Sequence, residues 1–152
     1  AKRSRMTIKF VLMVNKQGQT RLAQYFGEFL SIKEREALEN EVIRKCLKRS
    51  ENLCSFVEHR MYKLIYRRYA SLFFIVGVDG SYNNELSVLE FIHNMVETLD
   101  KYFKNVCELD IMFNIEKAHF ILEEMVMNGE IVEGNKSNVL APVLLLDKMG
   151  NA

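Results

Sequence analysis

A chain of 152 residues with 49% apolar and 27% charged side chains has the balance of one compact globular unit and excludes a disordered protein. Lys and Arg number 21 against 20 Asp and Glu, a formal charge of +1, so no global field draws the chain to nucleic acid or acidic lipid. Cys46, Cys54 and Cys107 are odd in number and form no C-x-x-C pair, which fits reduced thiols in a cytosolic protein. No apolar run approaches the ~18 residues of a membrane span.

Ala1-Lys2-Arg3-Ser4-Arg5 precede Met6 and read as an expression remnant or a short basic extension, with a single domain expected over residues 6–149. Ile8, Phe10, Val11, Leu12, Met13 and Val14 form a nearly continuous apolar run, the pattern of a central strand buried on both faces. Asn15-Lys16-Gln17-Gly18-Gln19 supplies turn chemistry, and Thr20 to Phe26 completes a β-hairpin. Ser31 with Glu34 has capping-box spacing. The run to Arg49 sets Leu38, Val42, Ile43, Cys46 and Leu47 on one side, an amphipathic helix with a mixed-charge solvent face. Three strand-like runs follow, Cys54–Glu58, Tyr62–Tyr69 and Ser71–Asp79. Leu89, Ile92, Val96, Leu99 and Phe103 then recur at helical spacing. Cys107 to Ile115 interrupts that period, and a further helix is expected to run to Asn128 and stop at Gly129. A last helix, kinked or delayed by Pro142, is expected within Ser137–Met149. This order predicts an α+β fold, a five-stranded antiparallel sheet with helices on both faces.

Motifs for catalysis are missing from the sequence. His59, His93 and His119 sit in no metal-ligand spacing, and there is no G-x-S-x-G, G-x-x-x-x-G-K or G-x-G-x-x-G. Glu123 and Glu124 are adjacent on a helix and point about 100° apart, so they form no converging acid/base pair. Arg67-Arg68 between Tyr66 and Tyr69 evokes a nucleic-acid patch, but strand alternation sends the two guanidinium groups to opposite faces. The expectation is a protein-interaction module without enzyme activity, metal, cofactor or nucleic-acid partner.

Tyr62-Lys63-Leu64-Ile65-Tyr66-Arg67-Arg68-Tyr69-Ala70-Ser71-Leu72 resembles the small (sigma) subunits of clathrin-adaptor-type complexes. So do Phe10 with Asn15 to Leu22, Phe91-Ile92-His93-Asn94-Met95-Val96-Glu97, and Asn105-Val106-Cys107-Glu108-Leu109-Asp110-Ile111. Leu12 to Arg21, and Leu140-Ala141-Pro142 through Leu146 to Met149, are most similar to the fourth-adaptor-complex branch of that family.

The resemblance implies a longin-like fold. It also implies assembly against the N-terminal solenoid of one large subunit, in a heterotetramer with a second large chain and a medium chain. The implied role is vesicle transport and cargo sorting at trans-Golgi network or endosome membranes, from the cytoplasm and peripherally. Carried over residue by residue, it further implies a site for acidic dileucine signals on cargo tails. Leucine pockets then fall on Ala70, Leu72, Val96, Asn105, Val106, Leu109 and Ile111, and the partner of the upstream acid on Arg21. The same apolar residues equally suit plain core packing between helix and sheet. On the pocket reading, Leu109→Ser or Val96→Asp abolishes peptide binding in the assembled complex and leaves assembly intact. The alternative function is a longin-type regulator or tethering subunit acting outside an adaptor complex.

Overall fold

The computed structural model describes residues 8–27, 30–48, 54–81, 85–104, 107–127 and 130–131. Among them, strands β1 (Ile8–Asn15), β2 (Thr20–Tyr25), β3 (Cys54–His59), β4 (Tyr62–Tyr69) and β5 (Leu72–Asp79) form one antiparallel sheet in the order β2-β1-β5-β4-β3. β1 and β5 lie inside the sheet, as their nearly continuous apolar runs require, because a strand covered on both faces has no polar side to show.

Alternation along the strands splits the core in two. On one face Phe10, Leu12, Val14, Leu64, Tyr66, Phe73 and Ile75 pack under helix α1 (Ile32–Leu47), which contributes Leu38, Val42, Ile43 and Cys46. The helix begins where the sequence says it must: Glu34 N–H donates to Ser31 Oγ at 3.2 Å, and Ser31 N–H donates to the Glu34 carboxylate at 3.3 Å. Phe10 fixes the strand pairing beneath it. Its ring covers Gly77, its partner across β5, so closely that a Cβ there would stand 2.3 Å from the ring.

The opposite face carries Val11, Met13, Leu22, Ile65, Leu72, Phe74 and Val76. It is roofed by α2 (Glu85–Phe103), α3 (Glu108–Phe113) and α4 (Ile115–Met125), through Val88, Ile92, Met95, Val96, Leu99, Ile111, Ala118, Ile121 and Leu122. Each Val, Leu, Ile, Met or Phe side chain so withdrawn from water contributes ~1.5–3 kcal/mol before conformational entropy is counted.

Apart from shifts of one or two residues at element ends, the observed elements differ from those expected in two places. The interruption at Cys107–Ile115 is itself the short helix α3, started by the Asp110 carboxylate, which accepts the Cys107 N–H at 3.1 Å. α4 ends at Met125 rather than Asn128, because Val126-Met127 (β6) pair with Glu130-Ile131 (β7). The intervening Asn128-Gly129 is a strong hairpin dipeptide, and that signal outweighs helix continuation. The last helix expected within Ser137–Met149 lies outside the described residues.

Candidate functional site

The candidate residues fall into three groups. Leu72 begins β5, Val96 lies midway along α2 and Ile111 lies in α3. All three belong to the same hydrophobic cluster, at 1%, 5% and 0% exposure. In the free chain they fill core, and three surface clefts of about 310–480 Å³ are lined by none of the candidates. This corrects one expectation about mutants: Val96→Asp would bury a carboxylate without a partner and disturb the fold itself, so it does not isolate binding.

Ala70, Leu109 and Arg21 lie on the surface. Ala70 sits in the link between β4 and β5 with φ of 54°, a left-handed backbone that L-residues seldom adopt. Leu109 is 58% exposed, with Met112 at 44% and Phe113 at 81% three and four positions further along α3. That spacing lines them up as one apolar ridge. Asn105 and Val106 lie outside the described residues.

Arg21 is the best-defined member. Its Nε donates to Glu108 Oε1 at 2.5 Å and its Nη2 to Gln19 Oε1 at 2.9 Å, and the side chains of Arg21 and Glu108 are each 25% exposed. Asn15 Nδ2 donates to the same Glu108 oxygen at 2.9 Å and to Gln19 Oε1 at 2.8 Å. Asn15 is itself 2% exposed, and its Oδ1 accepts the backbone N–H groups of Gln17 and Gln19 at 3.0 and 2.9 Å. The β1–β2 turn is therefore an Asx-type turn whose polar centre reaches the first residue of α3. The Asn15 hydrogen bond, followed by that of Arg21, holds the Glu108 carboxyl below the ordinary glutamate range. α3 packs against β2 and is tied to it by Glu108 and Arg21, so the cation on β2 lies beside the helix that carries the apolar ridge.

The sequence points to Arg21 and Leu109, but not to Glu108 or Asn15, as site residues. The contacts joining Glu108 to Asn15 and Arg21 span 93 and 87 positions, and no local pattern encodes them. The remaining polar groups read as structural. His93 Nε2 meets Glu97 one turn along α2 at 2.7 Å. Arg67 reaches His93 on the α2 face while Arg68 lies over Phe73 on the α1 face, so strand alternation does separate the two arginines. Among the described residues no group of three His, Cys, Asp or Glu is placed to hold a metal ion.

A five-stranded antiparallel sheet with helices on both faces, as the described residues form it, is the longin-like α+β architecture. The model of the "Clathrin adaptor complex small chain" family matches residues 7–150, and the chain belongs to that family. It is 68% identical over 143 residues to the "AP-4 complex subunit sigma" of Arabidopsis thaliana, covering 94% of this chain and 99% of that one. To the "AP-4 complex subunit sigma-1" of Homo sapiens it is 59% identical over 145 residues, covering 95% and 99%. Its fold matches a chain of a structure titled "Homology model of the full-length AP-3 complex in a stretched open conformation", with TM-score 0.75, 30% identity and 95% of each chain covered.

Proposed function

We infer that the chain is the sigma-type small subunit of a heterotetrameric adaptor complex of the fourth type. In it the chain packs on the N-terminal solenoid of one large subunit, beside a second large chain and a medium chain. Its work is vesicle-mediated transport and cargo sorting, performed from the cytoplasm as a peripheral coat component at trans-Golgi network and endosome membranes. The observation that carries this reading is the 68% identity across nearly the whole length to an AP-4 sigma subunit. The exposed Met112 and Phe113 of α3 support it, since apolar side chains left on the surface of a short helix suit burial against another chain.

Within that complex the rim of Arg21 and Leu109 takes part in binding acidic dileucine signals. The leucines enter the apolar layer beneath α3 while the upstream carboxylate meets the guanidinium. Two buried leucine side chains supply about 1.5–3 kcal/mol each, and the charged contact adds register more than affinity. Leu72, Val96 and Ile111 are covered in the free chain, so this reading requires α3 and its flanks to shift as signal or large subunit arrives.

Affinity purification of the tagged chain with mass spectrometry tests the assembly. Two large chains and one medium chain are expected in stoichiometric amounts. A chain that recovers none of them, or a different trafficking assembly, overturns the reading in favour of a regulator acting outside an adaptor complex.

A further inference from the structure

Glu108 stands where a ligand's carboxylate would be expected to stand. The Arg21 guanidinium gives its Nε–H to Glu108 at 2.5 Å and an Nη2–H to Gln19, and among the described residues no hydrogen bond or ion pair engages Nη1. The cation thus keeps one edge for an incoming anion while its charge is largely balanced from the other side. Asn15 grips the same Glu108 oxygen at 2.9 Å and is locked by two backbone N–H groups, so the carboxylate is held rather than swinging free. An exposed pair on two unconstrained side chains would part readily when a competing anion arrived. Here a third, buried group fixes the geometry, and the chain's own anion stays beside the cation.

We propose that Glu108 is a built-in competing carboxylate that sets the acid selectivity of the Arg21 site, keeping the contact with an acidic peptide weak and reversible. This rests on the reading of Arg21 as the partner of the acid upstream of a dileucine pair. A bound peptide carboxylate faces attraction from Arg21 and repulsion from Glu108 together, so the acid contributes only the difference. Leucine burial is blind to either charge. The rim then ranks peptides chiefly by their leucines, with the acid as a small correction that one residue holds in check.

Glu108→Gln separates the charge from the geometry. A glutamine Oε1 still accepts from Asn15 and Arg21, so the turn and α3 stay joined while the negative charge disappears. The measurement is fluorescence anisotropy on the assembled heterotetramer at low salt, with two labelled peptides that differ only in Glu or Gln upstream of Leu-Leu. Thermal unfolding of the same preparations checks that the fold is kept. Glu108→Gln is expected to bind the Glu peptide roughly two- to fivefold tighter than wild type, the scale of one partly exposed charge contact. Affinity for the Gln peptide stays unchanged, and the gain shrinks as salt is raised. Arg21→Gln removes the preference for the Glu peptide and, with the repulsion from Glu108 left unopposed, turns it into a slight preference for the Gln peptide.

Equal shifts for both peptides, no shift, or weaker binding of the Glu peptide by Glu108→Gln overturns the role assigned to Glu108 and leaves the dileucine reading standing. Weaker binding in particular would show that Glu108 serves to position Arg21. If wild type and variant bind neither peptide, the dileucine reading itself falls, and the role of Glu108 with it.

Discussion

The interior trio Leu72, Val96 and Ile111 and the rim formed by Arg21, Glu108 and Leu109 belong to one proposed ligand face, yet they are built on opposite terms. The trio is closed, packed in the same cluster as Met13, Phe74 and Ile92 with at most 5% exposure. The rim is open and already organised, with a cation, its counter-ion and an apolar ridge in place before any partner arrives. On the proposed reading, the charged part of the site is preformed in the free chain while the part that would take leucines is closed. A dry apolar pocket left open would lose dispersion contacts and expose apolar area, whereas a surface ion pair on a hydrogen-bonded turn is stable in water.

Substitutions on each side sharpen that contrast. The largest effect is expected from Ile111→Ala, at 0% exposure, which should cost ~2–5 kcal/mol in a urea titration of the chain. A cost near zero would mean that the trio is not core and that the two regions do not differ. Asn15→Ala comes next. It strips the acceptor from two backbone N–H groups and the donor from Glu108, at a cost of ~1–3 kcal/mol measured the same way. An effect below a few tenths would show the rim to be loosely held.

The contribution of Glu108 is smaller and depends on pH. Its carboxyl is held below the ordinary value of 4.5 in the folded chain, by Asn15 first and Arg21 second. Its stabilising effect is therefore fully present above that value and is lost as pH falls through the lower folded one. The stability difference between wild type and Glu108→Gln is expected to be constant near neutrality and to shrink as pH drops below about 4.5, as followed by thermal unfolding. A difference that grows in acid contradicts the pairing.

How much of this was legible in the sequence varies with the range of the interaction. The α1 start, the β1–β2 hairpin and the buried strand β1 follow from neighbouring residues, because capping boxes, turn residues and apolar runs act over a few positions. The helix α3 was hidden, since six residues give the helical period fewer than two turns in which to appear. The core-or-pocket question for Val96 and Ile111 could not be read from spacing, because both roles demand the same apolar side chains. Glu108 stayed invisible as a site residue because its partners lie 87 and 93 positions away.

Leu109→Ser makes the smallest change to stability, under about 0.5 kcal/mol for a side chain that is 58% exposed, and the most informative one. The decisive measurement is the affinity of an acidic dileucine peptide for the assembled complex carrying Leu109→Ser. Loss of peptide binding with intact assembly and an unchanged melting temperature is the result expected if the rim of Arg21 and Leu109 receives the signal. Undiminished affinity would contradict it.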